Sequence, residues 1–261
     1  MKGEIGAVMH RMESGGLLSP PVGALLSILV LGMACARVSH AELVGSLFGG
    51  MALTENNDLR LTQNGVSDLT FHNVSYKGKD FQSPIYYGAR LTYFPPQISH
   101  WGFGLEFFHA KVYLNTDETV HVTGTRGGAR VDDQEKVGDS IEAFSISHGL
   151  NFLTADVIYR WFLGERGRDF VGRFQPYAGA GVGAVIPHVE STIAGVHFEE
   201  YQWHGPGVQG FLGVNFDLMR HWSVFIEYKL SYADLDLSIP GGSIGISPWT
   251  HHFVTGFSFR F

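Results

Sequence analysis

From about residue 42 onward, apolar side chains recur at every second position in stretches broken by turn residues. Eight such stretches stand out, at about 42–54, 83–94, 100–114, 148–162, 173–188, 204–217, 221–235 and 249–261. A period of two is that of a β-strand with two unlike faces. Each stretch is close to the ~9–11 residues that cross a bilayer as a tilted strand, or a little longer. The joins alternate. Those at "PPQISH", "LGERGRDFVG" and "LMRH" are short, whereas 55–82, 115–147, 189–203 and 236–248 are longer and polar. Short turns alternating with long loops are the pattern of an outer-membrane barrel. Every backbone group must be paired in lipid, so only helices and closed barrels span it. The expected fold is therefore all-β, an eight-stranded antiparallel transmembrane β-barrel over residues 42–261. An even strand count puts both termini on the periplasmic side. A soluble sandwich or a lipocalin-like barrel is the competing fold, but its rings would point inward and its joins would not alternate so regularly.

The final stretch, "FVTGFSFRF", places Phe253, Phe257, Phe259 and Phe261 on one face and ends on a ring. That ending resembles the signal read by the outer-membrane assembly machinery, which makes this machinery an expected partner. The first 41 residues read as a cleaved signal peptide. Lys2, His10 and Arg11 precede the apolar run "VGALLSILVLGMACA", and "VSHA" offers small residues for cleavage after Ala41. Such a run is shorter than the ~20 residues of a spanning helix. Cys35 lies within it, so the mature chain has no thiol. The net charge of -7, without Lys/Arg runs, argues against a nucleic-acid partner. A monomer in the bacterial outer membrane is expected.

Ring positions fix which face is which. Charge on the lipid face costs ~2–4 kcal/mol for Arg or Lys at mid-membrane. Arg90, Glu106, Asp156, Arg160, Glu227, Lys229 and Arg260 therefore point inward, as does His252, and the charged residues among them are suited to a salt-bridge network filling a narrow lumen. Trp101, Trp161, Tyr177 and Trp222 are expected as an interfacial girdle at the short-turn end.

The same parity carries polar residues outward at the far rim. On "WGFGLEFFHAKVY", an inward Glu106 puts His109 and Lys111 outward. At ~3.3 Å per residue and ~45° tilt, His109 stands near the top of the ~25 Å apolar band. Asn151 has outward parity on the next strand, and His188 and Glu190 have it on "PYAGAGVGAVIPHVE". Neighbouring strands lie ~4.8 Å apart, so these residues form one patch. Imidazole, amide and carboxylate suit a divalent metal or acid–base work. Lipid at this height in an outer leaflet is lipopolysaccharide, whose lipid A phosphates suit Lys111. Pro187 could mark a bulge, and a slip of one residue would turn His188 inward. His148, His204, His251 and His252 also fall at strand tops, where they could serve a rim site from the lumen side. No G-x-S-x-G occurs. "GAGVGA" opens no helix, so it is no dinucleotide fingerprint.

"WGFGLEFFHAKVY", "HGLNFLTADVIYRW", "PYAGAGVGAVIPHVE" and "HWSVFIEYK", with "YQWHGP", together resemble the lipid A oxidase family over roughly 83–235. The resemblance implies an outer-membrane enzyme that uses molecular oxygen as co-substrate. It would oxidise the proximal glucosamine of lipid A to an aminogluconate unit, releasing hydrogen peroxide. The matching positions are His109, Lys111, Tyr113, Asn151, His188 and Glu190. Here the second loop, with "TGTRGGARVDDQEKVGD", is longer, and Asp156 stands where an amide is expected. Oxygen chemistry of this kind normally needs a metal or a flavin, and an eight-stranded lumen has little room for a flavin. The expected site is a divalent metal on His109, His188 and Glu190, with Asn151 positioning the sugar and Lys111 and Tyr113 binding substrate. The alternative is a non-enzymatic OmpA-like structural barrel or an adhesin whose long loops bind a ligand. A lipid A deacylase would need a serine beside a histidine and an acid on the lipid face, and the sequence shows no such serine.

Overall fold

The computed structural model describes residues 41–164 and 170–261. The expected signal peptide lies outside the described residues, except for Ala41. In chain order the strands are β1 (Glu42–Thr54), β2 (Asn57–Gln63), β3 (Ser67–Val74), β4 (Tyr76–Lys77), β5 (Tyr87–Phe94), β6 (Trp101–Leu114), β7 (Thr119–Arg126) and β8 (Ala129–Lys136). They continue as β9 (Ala143–Arg160), β10 (Phe174–Ile193), β11 (Val196–Tyr201), β12 (His204–Asp217), β13 (Trp222–Ala233), β14 (Leu235–Ile239), β15 (Gly242–Ile246) and β16 (Trp249–Arg260).

Eight of these close a barrel. Antiparallel pairing runs β1–β5–β6–β9–β10–β12–β13–β16 and returns from β16 to β1. Closure leaves no free edge along the wall. The eight expected stretches coincide with these strands apart from a few residues at their ends. The largest differences are that β9 starts at Ala143 and β10 runs on to Ile193.

The wall alternates as the parity requires. Leu105, Val157, Leu212, Ile226 and Phe257 lie exposed on its outside, as does much of each strand. Such a continuous apolar band would be a liability in water and matches a hydrocarbon surround. Trp101, Trp161 and Trp222 are exposed at the short-turn end, as a girdle requires. Tyr177 corrects the fourth girdle position. It has the inward parity of Gly179 and Gly181, and its hydroxyl donates to Glu227 inside the lumen at 2.9 Å.

The lumen is filled in two tiers. The lower tier is charged. Arg90 donates to both oxygens of Glu227 at 2.8 Å and also pairs with Glu106, which in turn pairs with Lys229. Nearer the short-turn end, Arg160 and Arg260 share Glu42, and Arg260 also pairs with Asp217. Every charged residue expected inside is inside. Glycine makes the room: a Cβ at Gly179 would overlap the ring of Phe211, which lies beneath the Arg90 guanidinium.

The upper tier is apolar and does not come from the barrel alone. The long joins are not loops of polar coil. Three of the four fold into a second, six-stranded sheet in the order β14–β15–β2–β3–β7–β8, while β11 of the remaining join extends the wall beside β10. Leu59, Leu61, Leu69, Phe71, Val122, Leu237 and Ile244 of this sheet are buried in one cluster with Phe108, Ile146 and Phe152 of the wall. Alternation in "NDLRLTQ" and "SDLTFHNV" carries this packing, since one face of each strand is buried and the other is exposed or half-exposed.

Candidate functional site on the outer wall

Two rows of paired residues cross the outside of the wall near its long-loop end. In the lower row Tyr87 of β5 faces His109 of β6, which faces Asn151 of β9, which faces Ile186 of β10. In the upper row Tyr113 faces Ser145, which faces Glu190. Inward positions between them, Ala110, Val112, Val185 and Val189, sit in the core, so His109, Lys111, Tyr113, His188 and Glu190 keep outward parity. The residues that the sequence assigned to one patch thus lie on the outer face of three adjacent strands.

The bulge suspected at Pro187 belongs to the neighbouring strand. Between the pairs Ala110–Leu150 and Val112–Ile146, β6 contributes one residue and β9 contributes Ser147, His148 and Gly149. The excess on β9 is taken up locally, so β10 keeps its phase and His188 is not turned inward. Gly149 is the residue that allows this. Its φ is +117°, and a Cβ there would overlap His109 Nδ1 and Asn151 Oδ1.

The bulge also moves His148, and the other histidines at the strand tops divide between the two faces. His148 leaves the lumen phase and lies on the outer side, its ring 4.8 Å from that of His188. His251 is outside too, bonded to Tyr228 at 2.6 Å and Glu55 at 2.7 Å. His252 alone of the four is a buried lumen residue, held by Ser231 at 2.8 Å. His204 opens β12 opposite Val185 and is half-buried.

Hydrogen bonding fixes the chemistry of His109. The Asn151 amide nitrogen donates to the carbonyls of Gly149 at 3.2 Å and Ile186 at 3.0 Å. That assigns the other amide atom as oxygen, an acceptor only. Asn151 Oδ1 lies 3.0 Å from His109 Nδ1, so Nδ1 must carry the proton. In the neutral ring the lone pair is then on Nε2. His109 is 3% exposed, and Nε2 is buried without a hydrogen-bond partner. Tyr87 stacks on the ring, with centroids 5.0 Å apart at 17°. An imidazole clamped on one face and one edge, with its other nitrogen free, is built to accept a proton.

His188 is the second such ring. It is 8% exposed, packs against Tyr201 at 4.3 Å, and leaves Nδ1 buried and unpartnered. Glu190 is used differently from expectation. It accepts from Ser147 at 2.7 Å and from Ser145 at 3.4 Å, and Ser147 also bonds His148 Nδ1 at 3.0 Å. The sequence reading missed Ser147, Tyr87 and Tyr201. Ser147 was legible only through the glycine two residues on, since an isolated glycine in a strand signals a bulge. Ser147 stands between the histidine and the carboxylate, so the acid does not orient the imidazole directly as it does in a nucleophile triad.

The expected metal set does not converge. Among the described residues no three His, Cys, Asp or Glu side chains gather to hold a metal ion. Glu190 is committed to the serines, and the free Nε2 of His109 has no second and third ligand gathered around it. Lys111 is nearly covered, at 2% exposed, and donates to the Gln82 carbonyl at 2.8 Å.

No protein-family model matches the chain, and no curated protein matches it. Among solved structures the chain is similar to the outer membrane protein OprG from Pseudomonas aeruginosa, with TM-score 0.41 and 15% identity over 85% of this chain and 96% of that one. It is similar to Neisserial surface protein A, with TM-score 0.40 and 12% identity over 85% and 98%. It is also similar to the outer membrane protease OmpT from Escherichia coli, with TM-score 0.39 and 8% identity over 87% and 99%. At such scores the likeness adds nothing to the strand-by-strand evidence for a barrel.

Proposed function

We propose that the chain is an outer-membrane enzyme of the outer leaflet that oxidises the proximal glucosamine of lipid A to aminogluconate, with molecular oxygen as oxidant. One observation carries the reading: His109 Nε2 is a lone-pair nitrogen without a hydrogen-bond partner, lying just beneath the outward surface of the wall, so a sugar reaches it by parting the side chains that cover it. The C1 hydroxyl of the sugar gives its proton to that nitrogen. Two electrons and two protons leave C1 and its hydroxyl together and reduce oxygen to hydrogen peroxide. The resulting lactone takes up water to become the acid. Asn151 holds the ring tautomer, Tyr87 holds its plane, and His188 lines the same patch. The residues described here do not fit a divalent metal, so no step is assigned to one.

Mass spectrometry of lipid A from an outer-membrane host whose lipid A carries a free C1 hydroxyl, expressing the chain, tests this. The oxidised sugar adds one oxygen, and a general base is worth roughly 10²–10⁴-fold in rate. His109→Gln should therefore abolish the mass change while the folded band persists on a heat-modifiability gel. An unaltered lipid A from the wild-type chain would sink the proposal.

The six-stranded loop sheet favours a second reading, a non-enzymatic barrel that binds a ligand at its loop end. Strand β8 is mostly exposed and carries Arg130, Asp132 and Glu135 on an open edge. If this reading is right, replacing those charges abolishes binding and His109→Gln has no phenotype.

A further inference from the structure

The chain has six lysines, and three of them surround one ring. Tyr113 points outward near the top of β6. Lys79 Nζ lies 3.9 Å from its ring centre, and Lys111 Nζ lies 5.8 Å from it. Lys77 is its direct cross-strand neighbour in the β4–β6 pair. Among the described residues none of the three makes an ion pair. Lys77 reaches only the Asn115 amide oxygen at 3.4 Å, and Lys111 reaches only a backbone carbonyl.

Cations crowd together without partners at a cost, and most of all where one of them is covered. Among the described residues two carboxylates act on the cluster: Asp80, whose carboxyl burial pushes up against the pull of Lys111, and Glu190, which acts on the Tyr113 ring from across Ser145 and is itself held by Ser147 and Ser145. Lys79 is held over Tyr113 by a left-handed backbone, with φ +52°, that a non-glycine residue adopts only at a cost. Below the cluster, Phe103 and Leu105 continue the exposed apolar wall, and Phe81 and Ile85 of the adjoining loop are exposed beside it.

We propose that Lys77, Lys79 and Lys111 around Tyr113 form a phosphate-binding site for the headgroup of an outer-leaflet glycolipid, whose acyl chains lie along the apolar wall of β6. Ammonium–phosphate contacts supply the anchoring, and the Tyr113 ring holds two of the three cations in place. The site deepens the proposed function by naming what holds its substrate. It rests on that reading only for the membrane leaflet, and it stands whether or not oxidation occurs.

The test uses the full folded chain in phosphatidylcholine nanodiscs, without oxygen turnover. Lipid A that carries only its distal phosphate, and so a free C1 hydroxyl, the same lipid without that phosphate, and inorganic phosphate alone are the probes, with affinity read by native mass spectrometry. Wild type should prefer the phosphorylated lipid by roughly tenfold or more, the equivalent of about 1.4 kcal/mol. Lys77→Ala with Lys79→Ala should erase most of that preference. Both side chains are exposed, so folding survives, which the covered Lys111→Gln does not guarantee. Lys136→Ala, which removes a lysine of β8 that pairs with Asp117 outside the cluster, should bind as wild type does, and the lipid A mass change reports on the oxidation reading separately. Equal binding of both lipids, or an unchanged preference in the double variant, overturns the proposal. Displacement by inorganic phosphate without any lipid preference overturns the lipid assignment.

Discussion

Asn151 decides what His109 can do, and Gly149 decides whether Asn151 can reach it. The amide spends both hydrogens on backbone carbonyls, which leaves its oxygen for the imidazole. A methyl group at Gly149 would enter the space of both partners, in a backbone region that L-residues avoid. Gly149→Ala should therefore push the pair apart and cut lipid A oxidation severely, while the barrel still shows its heat-dependent gel shift. If the mass change survives intact, the pair is not the reactive centre. His109, Asn151, His188 and Glu190 were legible as a patch because strand parity and height depend only on counting. The tautomer was not legible, because it is set by carbonyls of Gly149 and Ile186 that only the folded register brings near.

Among the elements, the wall strands followed their periodicity and the long joins did not follow their composition. Polar, glycine-marked stretches read as loops, yet β2, β3, β7, β8, β14 and β15 pair into a sheet. The alternation in "NDLRLTQ" was present in the sequence. A strand of seven or eight residues gains little alone, and its partners come from three different joins. Phe71 is fully buried where this sheet meets the wall. Phe71→Ala should lower resistance to urea by about 3–5 kcal/mol, the usual cost of emptying a ring site. Lipid A modification at the outer wall should persist, since no residue of the lower row belongs to that sheet. A joint loss of stability and activity would place the sheet in the mechanism.

At the scale of the molecule, one closed wall separates two chemistries. Inside, Arg90, Glu106, Glu227 and Lys229 neutralise one another and occupy the space a channel would need. Outside, an apolar band ends in a polar patch. Breaking a buried pair leaves an uncompensated charge and costs about 3–5 kcal/mol. Glu106→Leu leaves Lys229, packed against Phe108 and Phe48, with only the longer Glu227 contact at 3.7 Å, so it should destabilise the barrel in equilibrium urea unfolding by up to that amount. A neutral outcome would mean that water or another lumen acid compensates.

The sequence by itself determined the number of wall strands, their phase, the lumen charges and the outward set near His109. Each follows from a two-residue period in which one face must meet lipid, a constraint local to the strand and steep in energy. Only the tertiary structure decided the rest. The loop sheet, the outward turn of His148, the separate partners of the expected metal ligands and the lysine cluster at Tyr113 all depend on pairings between distant segments. Such pairings turn on hydrogen bonds and packing contacts that no local period encodes, and one bulge in β9 is enough to move a histidine from one side of the wall to the other.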